Sequence, residues 1–173
     1  MKTPLLQFVS RNYDKVMLFI ILAVASFLRL YRISDYLTFL GDEGRDVLIV
    51  YNILHGDFTL LGPTASVGGF FLGPIYYYFM APFLWLFDYD PSGPAIMVAL
   101  FGIGTAFLIY KVGSDFFGYA TGLIAAFLYG ISPLAIAYSR SSWNPNLMPF
   151  FSLLTLYILY KAVSRDKIKL FIF

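Results

Sequence analysis

The sequence predicts an all-α membrane protein: a polytopic bundle of transmembrane helices, with interfacial helices in its first outer loop. Three observations predict this. Of 173 residues, 60% are apolar and only 13% charged, against the ~25% charge usual in soluble domains. The apolar residues come in long runs, as a chain dissolved in a bilayer requires. Aromatic residues make up 20% of the chain, which suits the belts at the two membrane surfaces. A net charge of +2 offers no basic field for nucleic acid. The absence of cysteine removes disulfides, thiolate metal sites and cysteine nucleophiles together. One histidine, His55, excludes a multi-histidine metal site within these residues.

The elements follow in order. Lys2, Arg11 and Lys15 precede an apolar run, but Arg29-Leu30-Tyr31-Arg32 follows it instead of a small-residue cleavage site, so the first span is expected to stay uncleaved. Apolar stretches cover residues 16–31, 70–87, 94–110, 116–138 and 147–163. The second holds Pro74 and Pro82 about Tyr76-Tyr77-Tyr78, and the distance between the prolines is far too short to span. Charge decides its placement. If it lies in the interface, eight of the 12 Lys and Arg face the cytoplasm and four face outward; if it crosses, the count reverses. The positive-inside rule therefore favours an interfacial or re-entrant helix. Four spans remain, 16–31, 94–110, 116–138 and 147–163, with a cytoplasmic N-terminus and an outer loop over 34–93.

Local signals fit this layout. Residues 111–117 read as a short cytoplasmic turn. Gly118 and Gly122 form a small-xxx-small pair suited to close helix packing. Ser132-Pro133 is expected to kink the third span, and Asn144-Pro145 reads as N-cap and first residue of the fourth. After a basic cluster, Leu170-Phe171-Ile172-Phe173 begins a further apolar run, so the chain is expected to be the N-terminal part of a longer protein. Arg29 and Arg32 read as snorkelling residues at the end of the first span.

Three clusters carry candidate chemistry. Gly41-Asp42-Glu43-Gly44-Arg45-Asp46 is the densest charged run, and Val47, Leu48, Val50, Tyr51 and Leu54 continue it as an amphipathic helix stopped at His55-Gly56. Two readings stay open there. Either Asp42 is an N-cap, with Glu43 and Asp46 complementing the helix dipole, or Asp42 is a carboxylate base at the membrane boundary. The run from Gly62-Pro63 to Gly73-Pro74, with the three tyrosines after it, reads as an interfacial belt or as a sugar-stacking surface. Tyr138-Ser139-Arg140-Ser141-Ser142-Trp143-Asn144 reads as a capped turn with a Trp anchor, or as a site where Arg140 meets an anion and Asn144 a hydroxyl.

An acidic pair after the first span, an Arg two residues past the Glu, a Pro-rich run into tyrosines and a polar residue before Pro145 together resemble the polyprenyl-phosphate-sugar-dependent glycosyltransferases of the GT-C fold. The relatives meant are protein O-mannosyltransferases, lipid A aminoarabinose transferases and Rgt-like transferases. The resemblance covers residues 25–165. It implies a lipid-phosphate-linked sugar donor, a lipid, glycan or protein acceptor, inversion at the sugar carbon, and a site on the outer face of the cell (plasma or inner) membrane. In that frame Asp42 and Glu43 are the catalytic candidates, and Arg45, Tyr76, Tyr77, Arg140 and Asn144 the substrate-binding ones. Some relatives place Glu-Lys where this chain has Leu72 and Gly73, so the divalent cation of those relatives finds no ligand set in these residues. Many carry Asp where this chain has Asn144. The competing classes are a transporter or channel subunit, marked by ionisable groups within spans, and a non-catalytic membrane scaffold.

Overall fold

A computed structural model describes residues 12–65 and 67–164. The expected further run at Leu170–Phe173, and the terminal cations Lys2, Arg11, Arg165, Lys167 and Lys169, lie outside the described residues. Helix α1 spans Tyr13–Leu30 and α2 is the short Ile33–Tyr36. The charged cluster opens α3, Gly41–Leu54, and the tyrosines open α4, Ile75–Leu86. Then come α5, Ser92–Phe117, α6, Tyr119–Ile131, and α7, Pro133–Tyr138. A 3-10 turn, Asn144–Leu147, leads into α8, Met148–Ser164. Among the described residues there is no strand, only an isolated bridge between Thr64 and Phe71. The protein is an all-α membrane protein. Ser92–Phe117 and Asn144–Ser164 are long and apolar enough to cross a bilayer. At ~1.5 Å per residue α5 is about 39 Å long, whereas α4 reaches only about 18 Å, short of a ~30 Å hydrocarbon core.

The chain divides into two compact units. Among the described residues, one comprises residues 12–28, 102–136 and 148–164. Its core gathers Ile21, Leu123 and Ala126, with Met17, Leu18, Ile109 and Tyr110 packed against them. Residues 111–117 are not a turn: α5 runs through them to Phe117, and the chain reverses at Gly118 alone, which takes a φ of +90°. Of the Gly118–Gly122 pair only Gly122 packs closely, since a Cβ at Gly118 would meet nothing within 4 Å. Gly122 lies against Gly113 of α5; a Cβ at Gly113 would stand 2.8 Å from the Gly122 Cα, and one at Gly122 would stand 2.5 Å from the Tyr110 carbonyl. The expected kink at Ser132-Pro133 is a full break. Ser132 is extended, because proline disfavours the helical conformation in the residue before it. Near the end of α5, Asp115 accepts from Lys111 at 3.1 Å and Lys161 at 2.6 Å, and Tyr157 donates to it at 2.5 Å.

The other unit comprises Arg29–Phe101 and Ala137–Leu147. Ile33, Ala95 and Ala99 form one part of its core. Between α3 and α4 the chain makes a hairpin, in which Gly62 N–H bonds the Leu72 carbonyl, Leu72 N–H that of Pro63, and Ala65 N–H that of Phe70. Gly62 has to be glycine, since a Cβ there would sit 2.6 Å from the Leu72 carbonyl oxygen. Gly68 and Gly69 turn the hairpin at positive φ. Asp90 accepts the Ser92 N–H at 2.8 Å at the entry to α5, a task the sequence had not assigned it. Arg29 does not snorkel. It is fully buried, and its Nε donates to Ser139 Oγ at 3.2 Å.

The glycine contact yields a first test. Gly122→Val is expected to lower stability by about 1–3 kcal/mol, read as a fall in the melting temperature of the detergent-solubilised protein.

Candidate functional site

The site forms around the start of α3. Leu40 is extended and occupies the N-cap position, so Asp42 is the second residue of the helix and not its cap. Leucine has no acceptor to cap with. The task falls to Glu43, whose Oε2 accepts the Leu40 N–H at 2.8 Å, half of a capping box. Glu43 is 1% exposed. Its Oε1 accepts from Ser141 Oγ at 2.8 Å and Ser142 Oγ at 3.2 Å. A carboxylate with three donors is compensated for burial. It ties the start of α3 to a segment nearly a hundred residues away in sequence. A second tie comes from α4: the buried Tyr76 hydroxyl donates to the Ser142 carbonyl. Asn146 Nδ2 donates to the Ser141 carbonyl at 3.0 Å, closing the turn itself.

Asp42 differs from its neighbour. Its side chain is 51% exposed and accepts from Arg45 Nη1 at 3.0 Å through Oδ1. Among the described residues Oδ2 has no partner. An exposed pair of this kind orients the carboxylate and stabilises the fold by at most about 1 kcal/mol. Asp42 and Glu43 line a cavity of about 660 Å³, walled also by Thr38, Leu40, Ala137, Tyr138, Ser141 and Trp143. It is an apolar recess with a carboxylate at its edge.

Arg45 turns its fork to Asp46, with Nε at 3.0 Å and Nη2 at 2.8 Å, both to Oδ1. The Tyr77 hydroxyl donates to the same oxygen at 3.2 Å. Asp46 is fully buried, and its Oδ2 has no hydrogen-bond partner. Burial therefore raises the Asp46 carboxyl above its ordinary value, with the Arg45 guanidinium only partly opposing it. Burial and the Asp46 charge push the Tyr77 hydroxyl up to about 12. Tyr76 is raised as well, by burial and then by the charges of Asp46 and Glu43. Both phenols remain donors at neutral pH.

The structure thus brings five of the seven sequence candidates, Asp42, Glu43, Arg45, Tyr76 and Tyr77, into one linked set. The other two sit elsewhere in the same unit. Arg140 donates to the Tyr31 carbonyl at 3.3 Å and lies 5.0 Å from the Tyr36 ring centroid. Asn144 opens the 3-10 turn and is not the cap of an α-helix. His55 ends α3, its Nδ1 2.8 Å from the Tyr51 carbonyl oxygen. Sequence reasoning missed Asp46, Ser141 and Ser142 as partners. The signal for Asp46 was available: Glu43, Asp46, Val50 and Ile53 recur at spacings of three and four, and all four are buried. Leu48 and Tyr51, expected on that face, are exposed. Among the described residues no group of three His, Asp or Glu side chains is placed to hold a metal ion.

Comparison with known proteins gives the family. Residues 72–173, more than half the chain, match the family described as dolichyl-phosphate-mannose-protein mannosyltransferase, and the chain belongs to that family. It is also similar to two proteins of Bacillus subtilis (strain 168). "Putative mannosyltransferase YkcB" is 34% identical over 70 residues, 40% of this chain and 10% of the relative. "Putative mannosyltransferase YycA" is 30% identical over 95 residues, 55% of this chain and 14% of the relative. The matched stretches thus span a small part of these relatives' length. No solved structure matches the chain.

Asp46 sets a pH dependence. The folded state holds the Asp46 proton more tightly than the unfolded chain does. Stability from this group is full below the unfolded value of 3.8 and is lost as pH rises through the raised folded value. Asp46→Asn keeps the shape and cannot ionise. Its melting temperature minus that of the wild type should rise between about pH 4 and pH 7. A difference that shrinks over that range would contradict the assignment.

Proposed function

We propose that the full-length protein is a membrane glycosyltransferase that moves a sugar from a polyprenyl-phosphate-linked donor to an acceptor hydroxyl. The observation that carries this reading is Asp42: an exposed carboxylate at the edge of a roomy apolar cavity, beside a buried carboxylate that fixes its helix. Membership of the mannosyltransferase family supports the reaction class.

The chemistry uses the residues as placed. The acceptor O–H gives its proton to Asp42, through the oxygen that Arg45 does not occupy. The acceptor oxygen bonds to the anomeric carbon from the face opposite the leaving group. The bond from that carbon to the phosphate oxygen breaks, and the lipid phosphate departs with the electron pair, so the configuration inverts. Arg45 aims Asp42 by its 3.0 Å contact. Glu43, with its three donors, is a positioning residue, and Tyr76 and Tyr77 hold α4 against α3. The apolar wall of Leu40, Tyr138 and Trp143 suits the prenyl end of the donor. Arg140 and Asn144, in the same 139–146 segment as Ser141 and Ser142, stay substrate-binding candidates outside the lining of this cavity.

The same proposal extends to the membrane. The four spans 16–31, 94–110, 116–138 and 147–163 put α3, α4 and the 139–146 turn on one outer face of the cell membrane, with the N-terminus in the cytoplasm. Lys111 and Lys161, counted on the cytoplasmic side, share one carboxylate in Asp115, which supports placing them together.

In the full-length protein Asp42→Asn is expected to reduce sugar transfer by roughly 10²–10⁴-fold while leaving expression and melting temperature unchanged. The assay is transfer of radiolabelled sugar from polyprenyl-phosphate mannose in membranes. Full activity in this variant would remove Asp42 from the mechanism.

A further inference from the structure

Beside Arg45, and away from Asp42, lies a second cavity of about 360 Å³ between α3 and the hairpin that follows it. Asp42 does not line it. Its wall carries Arg45, Asn52, Asp57 and Thr64, together with the rings of Phe58 and Phe71. Among the described residues the side chains of Asn52, Asp57 and Thr64 make no hydrogen bond, so their donors and acceptors are unspent. Arg45 spends three N–H groups on Asp42 and Asp46 out of the five a guanidinium carries. Two remain.

Charge selects among the ligands this wall would take. Arg45 is the only cation lining the cavity, and it is already paired with two carboxylates. Asp57 adds a further negative charge to the wall. A phosphate entering here would meet the negative charge of Asp57 and an Arg45 already paired with two carboxylates. A neutral polyol meets no such penalty. Its hydroxyls each donate and accept, which matches a wall with an amide, a carboxylate, a hydroxyl and spare N–H groups. Its C–H face packs on aromatic rings. The volume is at the small end of the ~300–1,000 Å³ range of small-molecule sites.

We infer that this second cavity is a saccharide pocket, which holds a neutral sugar ring of the acceptor while a neighbouring ring of the same acceptor reacts at Asp42. The inference rests on the glycosyltransferase reading for its ligand class. The reacting sugar of the donor belongs beside Asp42, so a ring held away from Asp42 belongs to the acceptor. The acceptor is then a glycan, and Arg45 touches both of its units: one through the aimed Asp42, the other through its two spare N–H groups.

The test uses the intact protein in detergent, with methyl α-D-mannopyranoside as probe and saturation-transfer NMR as readout. Asn52→Ala and Thr64→Val are each expected to weaken the mannoside by roughly threefold to tenfold at an unchanged melting temperature. Inorganic phosphate is expected not to displace it. Equal affinity in both variants, displacement by phosphate, or no signal from the wild type would each overturn the pocket. Transfer activity is read separately. If Asp42→Asn still transfers sugar while Asn52→Ala loses the mannoside, the catalytic reading falls and the pocket stands.

Discussion

A buried carboxylate organises this half of the molecule. Glu43 sits at 1% exposure, an expensive place for a charge unless every oxygen is engaged. Here the engagement is complete: a backbone N–H from the start of its own helix and two serine hydroxyls from the 139–146 turn. The consequence is positional. The helix that carries Asp42 and Arg45 cannot slide or rotate without breaking those bonds, and α4 reaches the same turn through Tyr76. The neighbouring carboxylates divide the work by environment. Glu43 is saturated and fixed, Asp46 is buried with one oxygen unmatched, and Asp42 is open with one oxygen unclaimed.

Arg45 lines one of two cavities and is hydrogen-bonded to Asp42, which lines the other. The cavity lined by Asp42 is apolar, and the one lined by Arg45 mixes polar side chains with aromatic and aliphatic ones. On the proposed function, a lipid-borne donor and a hydroxylated acceptor would differ in polarity as these cavities do. Asp42 and Glu43 line one cavity and Arg45 the other.

Much of this was legible in the sequence. The apolar runs gave the helices, the Asp42–Arg45 cluster marked the start of one, and His55-Gly56 marked its end. What was not legible depended on partners far away in the chain. Nothing near Arg29 indicates that Ser139 receives its Nε, so a charge at the end of a span read as snorkelling. Nothing near Glu43 indicates Ser141. Gly118 differs from its expected packing role for a related reason: with 111–117 helical, the reversal falls at Gly118, which supplies a positive φ, while Gly122 packs on Gly113. Asp46 is the exception, since its spacing from Glu43, Val50 and Ile53 marked it as buried and local dipole reasoning outweighed that sign.

The most direct measurement is a double-mutant cycle on Glu43 and Ser141, read by thermal unfolding of the solubilised protein. If the buried carboxylate holds the two segments together, Glu43→Ala and Ser141→Ala are coupled by about 1–3 kcal/mol, and the double variant loses less than the sum of the singles. Losses that add within about 0.5 kcal/mol would show that the two residues do not depend on each other, and the account of how Asp42 is held would be wrong.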